Sequence, residues 1–493
     1  MTQQRNLIRA AAVGSLWNYS AFAVSKLLIF ISTVVLVRLL TKEDFGLLAL
    51  GLVMINYMDR LSGVGVDLAL IRHRGDDPDR VAGVALVTGF VVDGTMAACA
   101  FLAAPLVAGF FSEPRLTPII QVLAVGFFIG SLKSVPEARL KRKLDFKRRF
   151  APELVRSFAK GAIAVTLAAT GFGVWSLVWA QFATNAVAAV MYWAMSDWKP
   201  RLVLDTRIAR ALIGFGAPLA VLQLMGVFSG SIDYLIVGKR MGAQSLGVYT
   251  VAFRLPELII ISICYVLSHV LFSAYSNVQH RPDAMKRGFL MTMRYTSLIT
   301  VPLGVGIFLV APEFVRLLYG RDWEATIVVM QVLALFAMVD SINSNDGEVF
   351  KACGKLSILY KVWCLNVVLM APVLWWAAGH SLLHVAVGEL AVMAVMTSIQ
   401  LTLVSRFLSI RPIEIARALS PAFTAALVMF AATYLLKAEL VRVLEGGRIA
   451  QIVSLMVMVA TGALVYMVTL WLTHREIFAQ ALLLLRPKDA TAS

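Results

Sequence analysis

The sequence predicts an all-α polytopic membrane protein with about fourteen transmembrane helices, and three observations carry that prediction. Of 493 residues, 59% are hydrophobic and only 15% are charged, against about 25% charged in an average soluble chain. The apolar residues gather into segments of roughly 20 residues or more, the length a helix needs to cross a hydrocarbon core about 30 Å thick. The breaks between segments are short and hold most of the Lys and Arg, so the net charge of +16 reads as membrane topology and not as affinity for nucleic acid.

Taken in order, the predicted spans are 11–37, 45–71, 81–108, 115–137, 150–170, 173–195, 208–237, 246–275, 287–311, 325–346, 356–378, 382–404, 416–436 and 449–472. The first is too long for a cleaved signal segment and is expected to remain as a helix. With the N-terminus inside, 28 of the 45 Lys and Arg fall on inner segments and 10 on outer ones, which predicts that both termini are cytoplasmic. The remaining seven, Lys26, Arg60, Lys133, Arg156, Lys160, Arg254 and Arg294, lie within spans. Four cysteines with no CxxC pair describe neither a disulfide framework nor a zinc site.

An internal repeat orders the spans. Arg38 and Gly46 recur as Lys239 and Gly247, 201 residues on. Ala104-Pro105 and Gln121-Val122-Leu123-Ala124 recur as Ala311-Pro312 and Gln331-Val332-Leu333-Ala334, offset by 207 and 210. The expected organisation is two parallel six-helix halves, residues 1–200 and 201–410, followed by two further helices and a short cytoplasmic tail in 411–493. Such halves would enclose a cavity that opens to each side in turn.

A charged side chain at the bilayer centre costs on the order of 3 kcal/mol, so those that persist usually face water or a partner. Lys26, Arg60 and Lys160 lie near the middle of their spans, and the seven intramembrane bases form the candidate site for an anionic substrate. Glu153, Arg156 and Lys160 share one face of the fifth span. A structural reading stands beside this one. Lys133 can pair with Glu137 and Arg254 with Glu257 on their own helices, while Lys133, Arg156 and Arg294 lie near inner ends, where long side chains snorkel. Asp59, Asp93, Asp340 and Glu389 are candidates for carrying H+ or Na+, or equally for neutralising nearby bases.

The basic run from Arg139 through Arg142 and Lys143 to Arg149 marks the inner face and attracts anionic headgroups; its sharper reading is a docking surface for a lipid-linked pyrophosphate. No GxxxxGK[ST] loop occurs. Asp77-Pro78-Asp79 reads as a turn between helices, His380 and His384 offer only two metal ligands, and the GxxxG pairs at Gly126 and Gly226 read as helix contacts. An enzymatic site has no loop large enough to hold it.

Several stretches carry a family resemblance. Val37-Arg38-Leu39-Leu40-Thr41-Lys42-Glu43-Asp44-Phe45-Gly46, Ala104-Pro105 through Phe110-Phe111, and Arg142-Lys143-Leu144-Asp145-Phe146-Lys147 form its first part. Gly171 through Leu177, Asp233 through Gly238, and Leu246 through Tyr249 extend it over nearly the whole chain. Together they resemble the Wzx-type oligosaccharide flippases, in the branch handling exopolysaccharide and colanic-acid-like units. The resemblance implies the multidrug/oligosaccharidyl-lipid/polysaccharide exporter fold, a bacterial inner-membrane location and the flipping of undecaprenyl-pyrophosphate-linked oligosaccharides through a cationic lumen. It also implies no cofactor beyond a coupling ion (H+ or Na+) or the membrane potential. Besides membrane lipids, the polysaccharide polymerase and chain-length regulator are the implied partners. The motif residues are Arg38, Arg142, Asp145, Phe146 and Asp233. A cation-coupled drug exporter of the same fold and a lipid II flippase are the alternatives; the excess of bases in the spans disfavours the first.

Overall fold

The computed structural model describes residues 24–62, 78–142, 146–443 and 447–476, and every regular element among them is a helix. We number them α1 (24–39), α2 (Lys42–Leu61), α3 (Pro78–Phe111), α4 (Leu116–Ser131), α5 (Ser134–Arg142), α6 (Phe146–Ala169) and α7 (Val174–Ala194). Then come α8 (Thr206–Ser229), α9 (Ile232–Pro256), α10 (Ser262–Val278), α11 (Pro282–Phe314), α12 (Ala325–Asn343) and α13 (Asp346–Ala352). The last four are α14 (Leu356–Ala377), α15 (Leu382–Phe407), α16 (Pro412–Val443) and α17 (Arg448–Thr473).

Among the described residues, nine helical stretches are long and apolar enough to cross a membrane, or ten with the bent α4–α5 pair counted as one span. Helices lie at the positions of all fourteen expected spans, and the shorter count has identifiable causes. Parts of the first two spans lie outside the described residues. The fifth, α6, carries Glu153, Arg156 and Lys160 along with the end of the basic run, which lowers its hydropathy. In the seventh, α8, the side chains at 215–219 and 222 lie outside the described residues. The 47-residue stretch Ile232–Val278, which holds the eighth, runs through a break at Gly242, where φ is 79° and ψ is 177°. That left-handed, non-helical conformation suits Gly and divides the stretch into two arms.

By their contacts the residues form two compact units, Met1–Thr250 with Trp363–His380, and Val251–Val362 with Ser381–Ser493. In the first, α3 packs on α4, and α7 packs on both α4 and α6. Val81, Val84, Val135, Ala138, Trp198, Ile208 and Leu212 form a buried apolar cluster there. The connection from α7 to α8 is fixed to this cluster. Trp198 stacks on Trp193 with centroids 6.0 Å apart, and Arg139 lies over the Trp198 ring at 5.3 Å while pairing with Asp79 at 2.6 Å. Asp205 caps α8 by accepting from the amides of Arg207 and Ile208 and pairs with Arg80 at 2.9 Å.

The Ile208 amide first, then the Arg207 amide and the Arg80 guanidinium, hold the Asp205 carboxyl below the usual carboxylate range. A carboxyl depressed on folding adds stability that is fully present above its unfolded pKa of about 3.9 and is lost as pH falls through its folded value. Asp205→Asn is therefore expected to melt below the parent at neutral pH. The gap in Tm should close as the pH drops below the ordinary carboxylate range; a gap that stays constant with pH would contradict the assignment.

In the second unit, α11 packs on α12 and α16, α16 on α17, and α12 on α15. Val301, Met338, Ala422, Ala425, Ala426, Met429, Tyr466 and Leu470 form one buried cluster. Lys437 of α16 reaches Glu313 and the Leu309 carbonyl of α11 at 3.0 and 3.1 Å.

Candidate functional site

The first unit gathers most of the in-span charges. Asp59 and Arg60 end α2, where both are exposed on the protein surface. A face that offers a carboxylate and a guanidinium to hydrocarbon is costly, so this one requires water or a polar ligand. Besides its neighbour Arg60, the charges acting on Asp59 are those of Lys133, Asp93 and Arg156, brought in from the α4–α5 junction, α3 and α6. Asp93 is only 2% exposed, and the Ser62 and Ser131 hydroxyls and the Lys133 charge face its carboxyl. Burying a carboxylate demands such compensation, because desolvation alone would expel the charge.

Each base then has its own restraint. Lys133 lies 4.0 Å from Glu137 one turn on. Arg156 pairs with Glu153 at 2.8 Å. Lys160 donates to the side-chain carbonyl of Gln181 on α7 at 2.8 Å, and Arg60 donates to that of Gln223 on α8 at 3.4 Å. Lys26 is half-buried on α1, and Ser32 of the same helix approaches the position of Gly161, next to Lys160. Asp233, one of the motif residues, is buried and accepts from the Tyr249 hydroxyl at 2.7 Å.

The other candidates lie elsewhere. Arg254 pairs with Glu257 at 3.1 Å in the second unit. There Pro256 removes one helix amide and the chain forms a π turn over Glu257–Ile261, whose Glu257 carbonyl accepts from the Ser262 amide and from the Ser262 hydroxyl, the latter at 3.1 Å. Arg294 is half-buried on α11, Asp340 is half-buried on α12, and Glu389 is buried on α15. Arg139, expected to face lipid headgroups, is instead engaged with Asp79 and Trp198. Lys143 and Asp145 lie outside the described residues, as does Asp77, and the side chains of Arg142 and Phe146 are likewise outside them.

Sequence reasoning missed Gln181, Gln223 and the serines at Asp93. The available signal was an amide in the middle of an apolar span, which needs a partner as a charge does.

Long apolar helices with several hydrogen-bonded charges inside the spans make up the frame of a membrane transporter for a polar cargo. Residues 35–328 match the family described as polysaccharide biosynthesis protein, and the chain belongs to that family. It is 23% identical to the succinoglycan biosynthesis transport protein ExoT of Rhizobium meliloti (strain 1021) over 94% of this chain and 93% of that one. It is 22% identical to the lipopolysaccharide biosynthesis protein WzxC of Escherichia coli (strain K12) over 81% of each. With the teichuronic acid biosynthesis protein TuaB of Bacillus subtilis (strain 168) it shares 26% identity over 58% of this chain and 60% of that one. Among solved structures, the lipid II flippase MurJ in an inward closed conformation superposes with a TM-score of 0.75 at 13% identity, over 95% of this chain and 100% of that one. An inward-facing multidrug resistance MATE family transporter of the MOP superfamily gives 0.66 at 15% identity, over 78% and 94%. These two likenesses define the fold: a polytopic, all-α membrane architecture.

Proposed function

We propose that this protein flips a lipid-linked oligosaccharide, with undecaprenyl pyrophosphate as the lipid carrier, across a bacterial inner membrane to supply exopolysaccharide, O-antigen or capsule synthesis. The observation that carries this reading is the polar cluster of the first unit, where Lys26, Arg60, Lys133, Arg156 and Lys160 outnumber Asp59, Asp93, Glu137 and Glu153. An excess of bases in this cluster suits a pyrophosphate and acidic sugars, and Arg60 and Lys160 each donate to a neutral side-chain amide that orients them. The names of the relatives, a succinoglycan transport protein and a lipopolysaccharide biosynthesis protein among them, support the same cargo.

In this mechanism the headgroup enters from the inside while the polyprenyl tail stays in lipid. Fourteen spans, both termini inside, form two six-helix halves, 1–200 and 201–410, with the two helices of 411–493 appended. Rocking of the halves exposes the site on each side in turn. Equivalent contacts in the two halves support this division. Asp93 and Ser131 fall on Thr300 and Ser341 when shifted by 207 and 210; the Ser131 hydroxyl faces the Asp93 carboxyl in the first unit, and the Ser341 hydroxyl donates to that of Thr300 at 2.7 Å in the second. A coupling ion (H+ or Na+, on Asp59, Asp93, Asp340 or Glu389) or the membrane potential drives the cycle. The polymerase and chain-length regulator receive the product. Arg254 and Arg294 complete the cationic path, and Arg142 and Lys143 form the inner surface at which the pyrophosphate docks, with Arg139 anchoring its edge through Asp79 and Trp198.

Deleting the gene is the test. Lipid-linked repeat units should accumulate on the cytoplasmic leaflet while polymer disappears. Loss of polymer with no accumulation of any lipid-linked precursor would contradict the assignment.

A further inference from the structure

Gly46 lies near the start of α2 and Gly247 near the start of the arm that follows the Gly242 break, and the offset of 201 that relates them also carries Lys42 onto Ala243. Their contacts exchange in the same way. A Cβ on Gly46 would stand 1.8 Å from the carbonyl oxygen of Ala243, and a Cβ on Gly247 would stand 1.7 Å from the carbonyl oxygen of Lys42. One residue meets the counterpart of its own neighbour, and the counterpart returns the contact, which is how two-fold related surfaces touch. Both glycines are buried, with Phe45 and Leu47 buried on one side and Leu246 and Val248 on the other.

The chain is held on each side of this crossing. Thr41 caps α2 in a capping box with Asp44, and Arg115 binds Glu43 and Glu113, so that Arg115 first of all holds the Glu43 carboxyl below the usual carboxylate range. On the partner arm, Lys239 donates to the Phe110 carbonyl, and the Arg240 guanidinium lies 4.7 Å from the centre of the Trp375 ring. The backbones therefore meet at a fixed place, and they meet there only because neither residue has a side chain. Any methyl group would force the two helix starts apart by about 1 Å or more, since the obstructing atoms are backbone and cannot turn aside.

We propose that Gly46 and Gly247 are a matched pair of positioning residues that set how tightly the two halves close at their outer ends, and so determine whether the site can be sealed from outside while cargo loads from inside. This rests on the flipping function proposed above and names the contact that regulates it. Gly46→Ala and Gly247→Ala should each reduce flipping at least tenfold. Because both remove the same contact, the double variant should be no worse than either single one. Gly109→Ala, whose methyl meets nothing within 4 Å, should flip at the parental rate.

The decisive readout does not need substrate. In a protein whose native cysteines are replaced, Leu50→Cys lies beside this crossing, buried against the position of Gly238. Either glycine substitution should raise its labelling by a membrane-impermeant thiol reagent added from outside severalfold, and Gly109→Ala should not. Unchanged labelling with parental flipping would overturn the proposal. If the alanine variants fail to fold, Lys42→Cys and Gln244→Cys can be bridged by a short, cleavable bifunctional thiol reagent in a protein that keeps both glycines. Bridging should stop flipping and cleavage should restore it; full flipping in the bridged protein would overturn the proposal. A parent that flips no lipid-linked oligosaccharide, yet shows the labelling response, would sink the functional reading and leave the closure contact standing.

Discussion

Arg60→Ala is expected to export polymer at no more than about a tenth of the parental rate at matched protein level, with lipid-linked precursor building up inside. A hydrogen bond to a charged group contributes about 1.5–3 kcal/mol, and each 1.4 kcal/mol is about tenfold in affinity, so one lost contact to a pyrophosphate suffices. Arg60 holds its place through Gln223 on α8, a neutral amide. Arg60→Lys should fall between the two, because it keeps the charge and loses the planar fork that grips two oxygens at once. Lys26→Ala on α1 should show the same direction. Full export from both alanine variants would remove these residues from the mechanism.

Asp93→Ala is expected to be among the most destabilising single substitutions in the first unit. The carboxyl is buried with the Lys133 charge and the Ser62 and Ser131 hydroxyls facing it. Removing one partner from a buried charge set costs about 3–5 kcal/mol, a large share of a typical folding free energy of about 5–15 kcal/mol. Pairing Asp93→Asn with Lys133→Gln removes both charges and leaves polar side chains in both places, so the double variant should recover folded protein and, if Asp93 only neutralises Lys133, export as well as Lys133→Gln alone at matched protein level. A double variant that melts at the parental temperature but exports less than Lys133→Gln alone would assign Asp93 to ion coupling. Melting temperature in detergent and export in cells separate the two.

These residues also show what a sequence can and cannot reveal. Pairs within one helix were legible, because helical spacing places i and i+3 or i+4 on one face: Glu153 with Arg156, Lys133 with Glu137, and Arg254 with Glu257 all meet as that spacing requires. The helices themselves were legible from hydropathy, since the bilayer leaves a chain few alternatives. Partners on other helices were not. That Lys133 would face Asp93, Lys160 would reach Gln181, and Arg60 would reach Gln223 depends on which helices adjoin and how each is rotated. Arg139 is the instructive case. Its place in a basic run pointed to lipid headgroups, yet the start of α3 supplies Asp79 and the α7–α8 connection supplies Trp198, and the side chain serves to fix that end of the unit. The repeated glycines were visible as a motif 201 residues apart, but only coordinates show that each lies against the other's neighbouring backbone.

The central claim is that this chain moves a lipid-linked oligosaccharide between leaflets, and one reconstitution tests it most directly. Purified protein is placed in sealed vesicles carrying undecaprenyl-pyrophosphate-linked oligosaccharide, and the fraction of glycan open to an externally added glycosidase is followed over time. Protein-free vesicles should plateau with only the outer-leaflet glycan cleaved, vesicles with the parent protein should proceed towards complete cleavage, and Arg60→Ala should lag at least tenfold behind. A plateau shared by the parent protein and empty vesicles, with and without an imposed ion gradient and membrane potential, would contradict the account.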